Sequence, residues 1–258
     1  MCEVEIVKVD VSTKKVQKMK DYVAEEKPLP IFINRTHYAT IYCSPANLKE
    51  LAVGHLLTEG IIKSVDEIES IVFKANNVCH VKLKPNIDLE ERLKLSRHFS
   101  RIILSACGGP YQPSTRLPKI KSHLKIKAET ILECVRNLNF TAETFRKTGG
   151  THAAAIYKRD GVLVAFAEDV GRHNAVDKVI GSCALNKIDF SDCLLVLSGR
   201  LTGDMVFKAA KAGLPIVASL AAALDSGIAV AKNTDLTLIG FVRGKRMNIY
   251  NFPERILS

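Results

Sequence analysis

The sequence predicts an α/β fold in which a partly parallel sheet lies between two layers of helices. In the second half of the chain, short apolar runs such as 194–198 and 216–219 alternate with helical stretches of about ten residues, a pattern typical of βαβ units. The first half instead carries paired strand-like runs and few helices. We therefore expect a smaller β-rich N-terminal portion packed on a main α/β domain, divided as 1–90, 91–128 and 129–258.

The first half is predicted element by element from its breaks. Residues 1–30 form a charged arm or leading strand, and 31–33 with 38–43 form a β-hairpin. A helix should begin at Asn47, after Ser44-Pro45, and end at Gly60. Strands over 68–73 and 78–83 and a short helix over 89–98 follow. A Pro-rich loop then extends to residue 121 and precedes a helix over 130–138.

In the second half, a helix over 142–147 stops at Gly149-Gly150, and 151–157 pairs with 162–168 through a turn at 159–161. Helices are predicted over 174–185, 204–212 and 221–231, between strands over 194–198, 216–219, 236–241 and 247–250. Functional groups should gather where the strands of such a sheet end.

Composition restricts the class of protein. With 258 residues, of which 47% are hydrophobic, the chain can bury a full core. No apolar run approaches the ~20 residues of a membrane span, and the N-terminus has no apolar signal core, so we expect a cytoplasmic protein. The net charge of +10 attracts anions. Because nucleic-acid-binding motifs are absent, we expect no nucleic-acid partner.

One of the seven cysteines stands apart from the others. No C-x-x-C pair occurs, so zinc-ribbon and thioredoxin patterns are excluded, and no metal site is predicted. Cys107, however, ends an apolar run, precedes Gly-Gly-Pro, and lies in a stretch (92–127) with nine Lys or Arg and no acidic residue. Positive charge favours the thiolate, the nucleophilic form of the thiol. We therefore predict a reactive sulfur at Cys107 and an anionic partner nearby.

Four polar clusters are candidates for binding that anion, with the sequences TGGTH (148–152), EDVGRHN (168–174), LSGRLT (197–202) and FVRGKR (241–246). Paired glycines and helix N-termini allow backbone N–H groups to approach an anion, and Arg and His supply charge. Each cluster also has a structural alternative, such as a helix stop at 149–150 or a solvated hairpin at 241–246. The candidate ligands in the first three clusters are Gly150, Thr151, Arg172, His173, Ser198 and Arg200.

These motifs carry a family resemblance. TGGTH, EDVGRHNAVDK (168–178), SGR (198–200), KAA (208–210), EKPL (26–29) and LTEGII (57–62) are together similar to the formate dehydrogenase accessory sulfurtransferase (FdhD-type) family. The resemblance extends over nearly the whole chain, and the eleven-residue block at 168–178 is its most specific part.

The resemblance implies a function as well as a fold. Family members accept persulfide sulfur from a cysteine desulfurase and pass it to a molybdenum or tungsten bis(pyranopterin guanine dinucleotide) cofactor. The sulfurated cofactor then enters the catalytic subunit of formate dehydrogenase. The implied fold is similar to the α/β/α sandwich of cytidine deaminase, without its zinc site, and members are usually homodimers.

Carried over to this sequence, the persulfide-bearing residue is Cys107. The implied cofactor loop is Phe241, Val242, Arg243, Gly244, Lys245 and Arg246, and GDP or GMP is the expected partial ligand. Many members have a second Cys in the sequence C-G-x-C-G, where this chain has Pro110. A single-thiol persulfide remains possible, and so does the alternative of a cofactor chaperone that moves no sulfur. An amidohydrolase on the deaminase-like fold would lack its metal ligands.

Overall fold

The computed structural model describes residues 1–96, 101–103 and 119–257. The first half contains β1 (Cys2–Asp10), β2 (Lys15–Val23), β3 (Lys27–Ile33), β4 (Thr36–Cys43), α1 (Leu48–Glu59), β5 (Ile68–Lys74), β6 (Val78–Leu83), α2 (Leu89–Ser96) and β7 (Arg101–Ile103). The second half contains β8 (Ile126–Lys127), α3 (Ala128–Thr141), α4 (Glu143–Thr148), β9 (His152–Lys158), β10 (Leu163–Asp169), α5 (Arg172–Leu185), β11 (Cys193–Leu197), α6 (Gly203–Ala212), β12 (Ile216–Ser219), α7 (Asp225–Thr234), β13 (Thr237–Arg243), β14 (Arg246–Asn251) and β15 (Ile256–Leu257).

The main sheet has the strand order β10-β9-β11-β12-β13-β14. Strands β11, β12 and β13 are parallel, and the outer pairings are antiparallel. Successive residues of β11 point to opposite faces. Leu195 packs in one core cluster with residues of α5 and α6, whereas Leu194 packs in another with residues of α3. This arrangement confirms a mixed α/β fold with helices on both faces of a partly parallel sheet.

A second sheet, with the order β5-β6-β3-β4-β7, forms the β-rich N-terminal portion. Its apolar side packs on α1 in a third core cluster. Helix α1 therefore lies between this sheet and the helices of the main sheet, where it contacts α5 and α6. The predicted divisions at 90 and 128 stay a prediction.

The contact between α1 and α5 depends on two glycines. A Cβ atom added to Gly54 would lie 1.8 Å from the backbone oxygen of Asp177, and one added to Gly181 would lie 1.9 Å from that of Glu50. No side chain fits at either distance. The glycines thus allow the two helix backbones to touch, and this contact joins the two halves of the molecule.

Two segments differ from their prediction. Residues 1–30 were predicted as an arm or one strand, but β1 and β2 form a hairpin in register from Cys2–Val23 to Asp10–Lys15. The Asp10 carboxylate closes its turn by accepting hydrogen bonds from the backbone of Ser12 and Thr13.

The helix predicted over 221–231 begins instead at Asp225. Residues just before it are held as extended backbone by Leu201, which donates to Ala222 O and accepts from Leu224 N. Among the described residues, no helix is long and apolar enough to cross a membrane.

Candidate functional site

The predicted clusters meet along one edge of the main sheet, the edge formed by the carboxyl ends of its parallel strands. Strands β11, β12 and β13 end there, and antiparallel β9 begins there. The backbone N–H of Ala153 donates to Ser198 Oγ at 3.0 Å, which joins the start of β9 to the end of β11. Arg243 Nε donates to Leu220 O at 2.8 Å, and Leu220 N donates to Leu197 O at 3.3 Å. The expected gathering of polar groups at strand ends is therefore present.

Arg172 and His152 come together above Gly199. A Cβ atom built on Gly199 would lie 3.3 Å from Arg172 Cβ and 3.8 Å from His152 Nδ1. His152 Nδ1 also lies 3.4 Å from Ser198 Oγ. Arg172 has no acceptor among the described residues, and its Nε atom is buried without a hydrogen-bond partner. A partly buried cation with unused donors is a natural anion ligand.

His152 was part of the TGGTH motif but was not among the predicted ligands. It is the first residue of β9 and is partly buried. Burial lowers the pKa of His152, and the positive charges of Arg172 and His173 lower it further. The spacing of the motif gives no sign of this contact, because Arg172 and Ser198 reach His152 from distant parts of the chain.

His173, by contrast, already has a strong partner. Its Nε2 atom lies 2.6 Å from Asp204 Oδ2, and only 8% of the residue is exposed. Burial by itself would raise the pKa of Asp204, but hydrogen bonds from His173 and Thr202 outweigh this and hold the pKa well below its ordinary value. His173 and Asp204 thus form a hydrogen-bonded pair that links the start of α5 to the start of α6.

Gly150 and Thr151 belong to a turn whose polar groups are used internally. The Thr151 hydroxyl donates to Glu168 Oε1 at 3.0 Å, and the Glu168 carboxylate also accepts the backbone N–H groups of Thr144 and Phe145. Glu168 thereby caps the first turn of α4. Thr151 is buried, whereas Gly150 is exposed beside Ala24. Arg200 is exposed in the connection between β11 and α6.

The basic turn at 241–246 continues the same edge. Phe241 has a φ of 51° and is 36% exposed, and the Arg243 guanidinium carbon lies 5.5 Å from the centroid of its ring. Gly244, Lys245 and Arg246 are exposed. The side chain of Val242 is buried in the core beneath α3, so only its backbone faces the site. The loop thus offers an aromatic face and three cations to a ligand.

Most of the eleven-residue block, however, is buried and satisfied. Asp169 pairs with Lys178 at 2.6 Å and accepts hydrogen bonds from Ser44 N and Asn174 Nδ2. Asp177 pairs with Lys208 at 2.9 Å. Within 168–178, Arg172 is the charged side chain left without a partner inside the described structure.

Cys107 lies outside the described residues, as do Arg97 and Arg116 of the basic stretch around it. Lys119, one of the cations of that stretch, pairs with Asp235 at 2.7 Å, beside the start of β13 and not at the edge where the clusters meet. Five other cysteines are buried. Burial raises the pKa of Cys43, Cys79, Cys134 and Cys183 to about 12 and that of Cys193 to about 11. These five are therefore structural thiols, as predicted for Cys134, Cys183 and Cys193.

The fold and this edge define a class of protein: a mixed α/β protein whose parallel strands end in a basic surface. Residues 24–257 match the sequence model of the FdhD/NarQ family, and the chain belongs to that family. This confirms the resemblance inferred from the motifs.

Individual relatives cover almost the whole chain. A protein of Saccharolobus solfataricus described as a sulfur carrier protein FdhD is 40% identical over 253 residues, which is 96% of each chain. One of Methanothermobacter thermautotrophicus with the same description is 39% identical over 256 residues, covering 99% of this chain and 98% of its own. A crystal structure described as a formate dehydrogenase accessory protein of Desulfotalea psychrophila is 28% identical, has a TM-score of 0.82 and covers 99% of both chains.

Proposed function

We propose that the protein carries sulfur as a persulfide on Cys107 and transfers it to a molybdenum or tungsten bis(pyranopterin guanine dinucleotide) before that cofactor enters formate dehydrogenase. The carrying observation is a cluster of cations at the strand ends that have no carboxylate partner among the described residues, in a chain whose relatives are described as sulfur carriers. A cysteine desulfurase is the proposed donor. The proposal includes a cytoplasmic homodimer and the implied likeness to the cytidine deaminase fold.

Sulfur loading is a simple exchange between two thiols. The Cys107 thiolate attacks the outer sulfur of the donor's cysteine persulfide, the bond between the donor's two sulfurs breaks, and the donor leaves as its thiolate. Cys107 then holds S–SH, and no other redox partner is needed. Nearby cations would favour the attacking thiolate and the product persulfide anion.

The topology favours an approach of this sulfur to the basic edge. Strand β7 runs parallel to β4, with Ile103 opposite Ile41. The next residue of β4, Tyr42, accepts a hydrogen bond at 2.8 Å from Asn174 in the first turn of α5. Cys107 follows Ile103 by four residues, a span of at most about 14 Å. The chain therefore leaves β7 beside the helix that begins with Arg172.

The cofactor would be bound by its charged and aromatic parts. Arg172, Arg200 and the basic turn of Arg243, Lys245 and Arg246 would bind the phosphates, and Phe241 offers a face on which guanine can stack. GDP or GMP should then bind as a fragment of the cofactor, and more tightly than ADP. His173, Ser198, Gly150 and Thr151 would act mainly by shaping the edge, because their polar side chains or close packing serve the fold.

Mass spectrometry after incubation with a cysteine desulfurase and cysteine tests the proposal. We expect a mass gain of one sulfur atom on Cys107, released by a reducing agent and absent from Cys107→Ala. The matched control is Cys2→Ala, because Cys2 is the other cysteine not shown to be buried. A labile sulfur that persists in Cys107→Ala would remove the residue from the mechanism.

A cofactor chaperone is the second candidate, favoured by Pro110 in place of the second family Cys. It predicts guanine nucleotide binding without any labile sulfur on the protein. The same mass measurement, combined with GDP calorimetry, separates it from the sulfur carrier.

A further inference from the structure

His152 and Arg172 face a shared space at the edge of the main sheet. Their side chains converge on Gly199, where a Cβ atom would come within 3.3 Å of Arg172 and 3.8 Å of His152. Because Gly199 has no side chain, the aliphatic part of Arg172 and the ring of His152 can both pack closely against the end of β11. Ser198 Oγ, which accepts the N–H of Ala153, lies 3.4 Å from His152 Nδ1 and fixes the ring at that nitrogen.

Arg172 has no carboxylate or carbonyl partner among the described residues, although its Nε is buried. A buried donor that stays unpaired destabilises the folded state. The neighbouring His173 is hydrogen-bonded to Asp204 at 2.6 Å, so of these three side chains only Arg172 has a buried donor without a partner in the described structure.

We propose that His152 and Arg172 together bind one tetrahedral dianion, of the phosphate type, and that His152 takes up a proton when the anion binds. The proposal deepens the proposed function, since it names the phosphate subsite of the cofactor cluster and makes its affinity depend on pH. Its chemistry needs no sulfur transfer, so it can fail or succeed independently of Cys107.

The charges around His152 determine the sign of the effect. Arg172 and His173 on α5 disfavour a second positive charge on the ring, as does burial, and Asp169 at the end of β10 favours one more weakly. Ser198, beyond β11, is neutral. A dianion beside Arg172 offsets the positive charge near the His152 ring and stabilises the protonated ring. The pKa of His152 therefore rises on binding. By linkage, the anion binds more tightly as the pH falls through the pKa of the bound state.

Sulfate is a suitable probe because its charge stays constant over the range in which histidine titrates. We expect sulfate to bind roughly ten-fold more tightly at about pH 5 than at about pH 8. Proton NMR of the histidine rings should show the titration of His152 moving to higher pH when sulfate is added. The resonance of the exposed His123 is the internal control and should not respond to sulfate.

Two variants separate the contributions. His152→Asn should retain weak sulfate binding and lose its pH dependence, and Arg172→Gln should lose binding at every pH. The wild-type NMR titration needs neither variant, so an unfolded variant leaves the test intact. The proposal is overturned if sulfate does not bind, or if it binds while the His152 titration stays unchanged.

Discussion

Helix α5 places charged residues in two different environments. Along its buried side, Asp177 is bonded to Lys208, to Thr58 and to His55, and Lys178 is bonded to Asp169. At its first residue, Arg172 meets the open edge of the main sheet without an acceptor among the described residues. Both environments lie within one contiguous block of sequence, 168–178.

The difference teaches which part of a specific motif is free to bind a ligand. Buried charges that have complete sets of partners hold α1, α5 and α6 together, because removing any one leaves another unpaired in the interior. A cation without a partner costs stability unless a ligand supplies one. The satisfaction of each polar group, and not the length of the motif, therefore separates the scaffold from the site.

The largest expected effect is on the buried side. Asp177→Leu should lower the free energy of unfolding by about 3–5 kcal/mol, because Lys208 is left buried with Glu59 as its one remaining carboxylate partner among the described residues, beside the Thr58 hydroxyl. Lys208→Met should cost a similar amount, whereas the double variant should recover a large part of the loss. Urea denaturation of the four proteins measures the coupling of the two residues as a double-mutant cycle.

The acid side of the stability profile gives a second readout. Burial would raise the pKa of Asp177, but Lys208 and His55 outweigh it and lower the pKa. Its contribution to stability is therefore complete above the ordinary carboxyl pKa and is lost as the pH falls toward the lowered value. When the free energy of unfolding is plotted against pH, Asp177→Leu should therefore lose less stability than the wild type as the pH falls. The exposed pair of Lys82 and Glu69 is the control, and Glu69→Gln should change stability little. An equally small effect of Asp177→Leu would contradict the scaffold role.

The second effect concerns the helix contact that these charges support. Gly54→Ala places a methyl group where the Asp177 backbone oxygen now lies, 1.8 Å away, so α1 and α5 must separate. We expect a loss of about 1–3 kcal/mol from this overpacking. Thermal unfolding monitored by circular dichroism measures it.

Gly149→Ala is the matched control for Gly54→Ala. Its Cβ would meet no atom within 4 Å, but its φ of 65° carries a backbone cost of about 1 kcal/mol. If Gly54→Ala were no more harmful than Gly149→Ala, the close helix contact would be wrong.

Much of this arrangement could be predicted from sequence, and the limits have physical causes. The periodic segments were predicted well because strands such as β11 and helices such as α6 are bounded by clear Gly, Pro and polar breaks. The strand-end location of the clusters also followed from the predicted parallel sheet. Which residues share a contact could not be predicted, because His152, Arg172 and Gly199 are brought together only by the antiparallel insertion of β9 beside β11.

The motif block itself misled in the opposite direction. Its density of charge indicated ligand binding, but Asp169 and Lys178 form an ion pair with each other in the interior. Spacing along the helix does not reveal that α1 and the turn after β4 supply the remaining partners, such as Ser44. Only the tertiary packing shows which charged side chains already have partners within the protein.

The smallest effect on stability is expected at the open end of α5, and it is the sharpest test of the comparison. Arg172→Gln should change the free energy of unfolding by less than about 0.5 kcal/mol, or raise it slightly, because no internal bond is lost and an unpaired buried donor is removed. The matched variant is Arg255→Gln. Arg255 is 3% exposed, and its guanidinium donates to the backbone oxygens of Asp235 and Ile120.

The two arginines thus differ in whether the fold has already supplied their acceptors. Arg255→Gln should lose at least about 2 kcal/mol, since hydrogen bonds to a charged donor contribute about 1.5–3 kcal/mol and their carbonyls would be left unpaired. In urea titrations the midpoint of Arg255→Gln should fall clearly while that of Arg172→Gln stays near the wild type. Sulfate added to about 100 times its dissociation constant should stabilise the wild type by about 2.7 kcal/mol and leave Arg172→Gln unaffected. Equal losses in the two variants would mean that Arg172 is a structural residue, and the open end of α5 would then be scaffold like the rest of the helix.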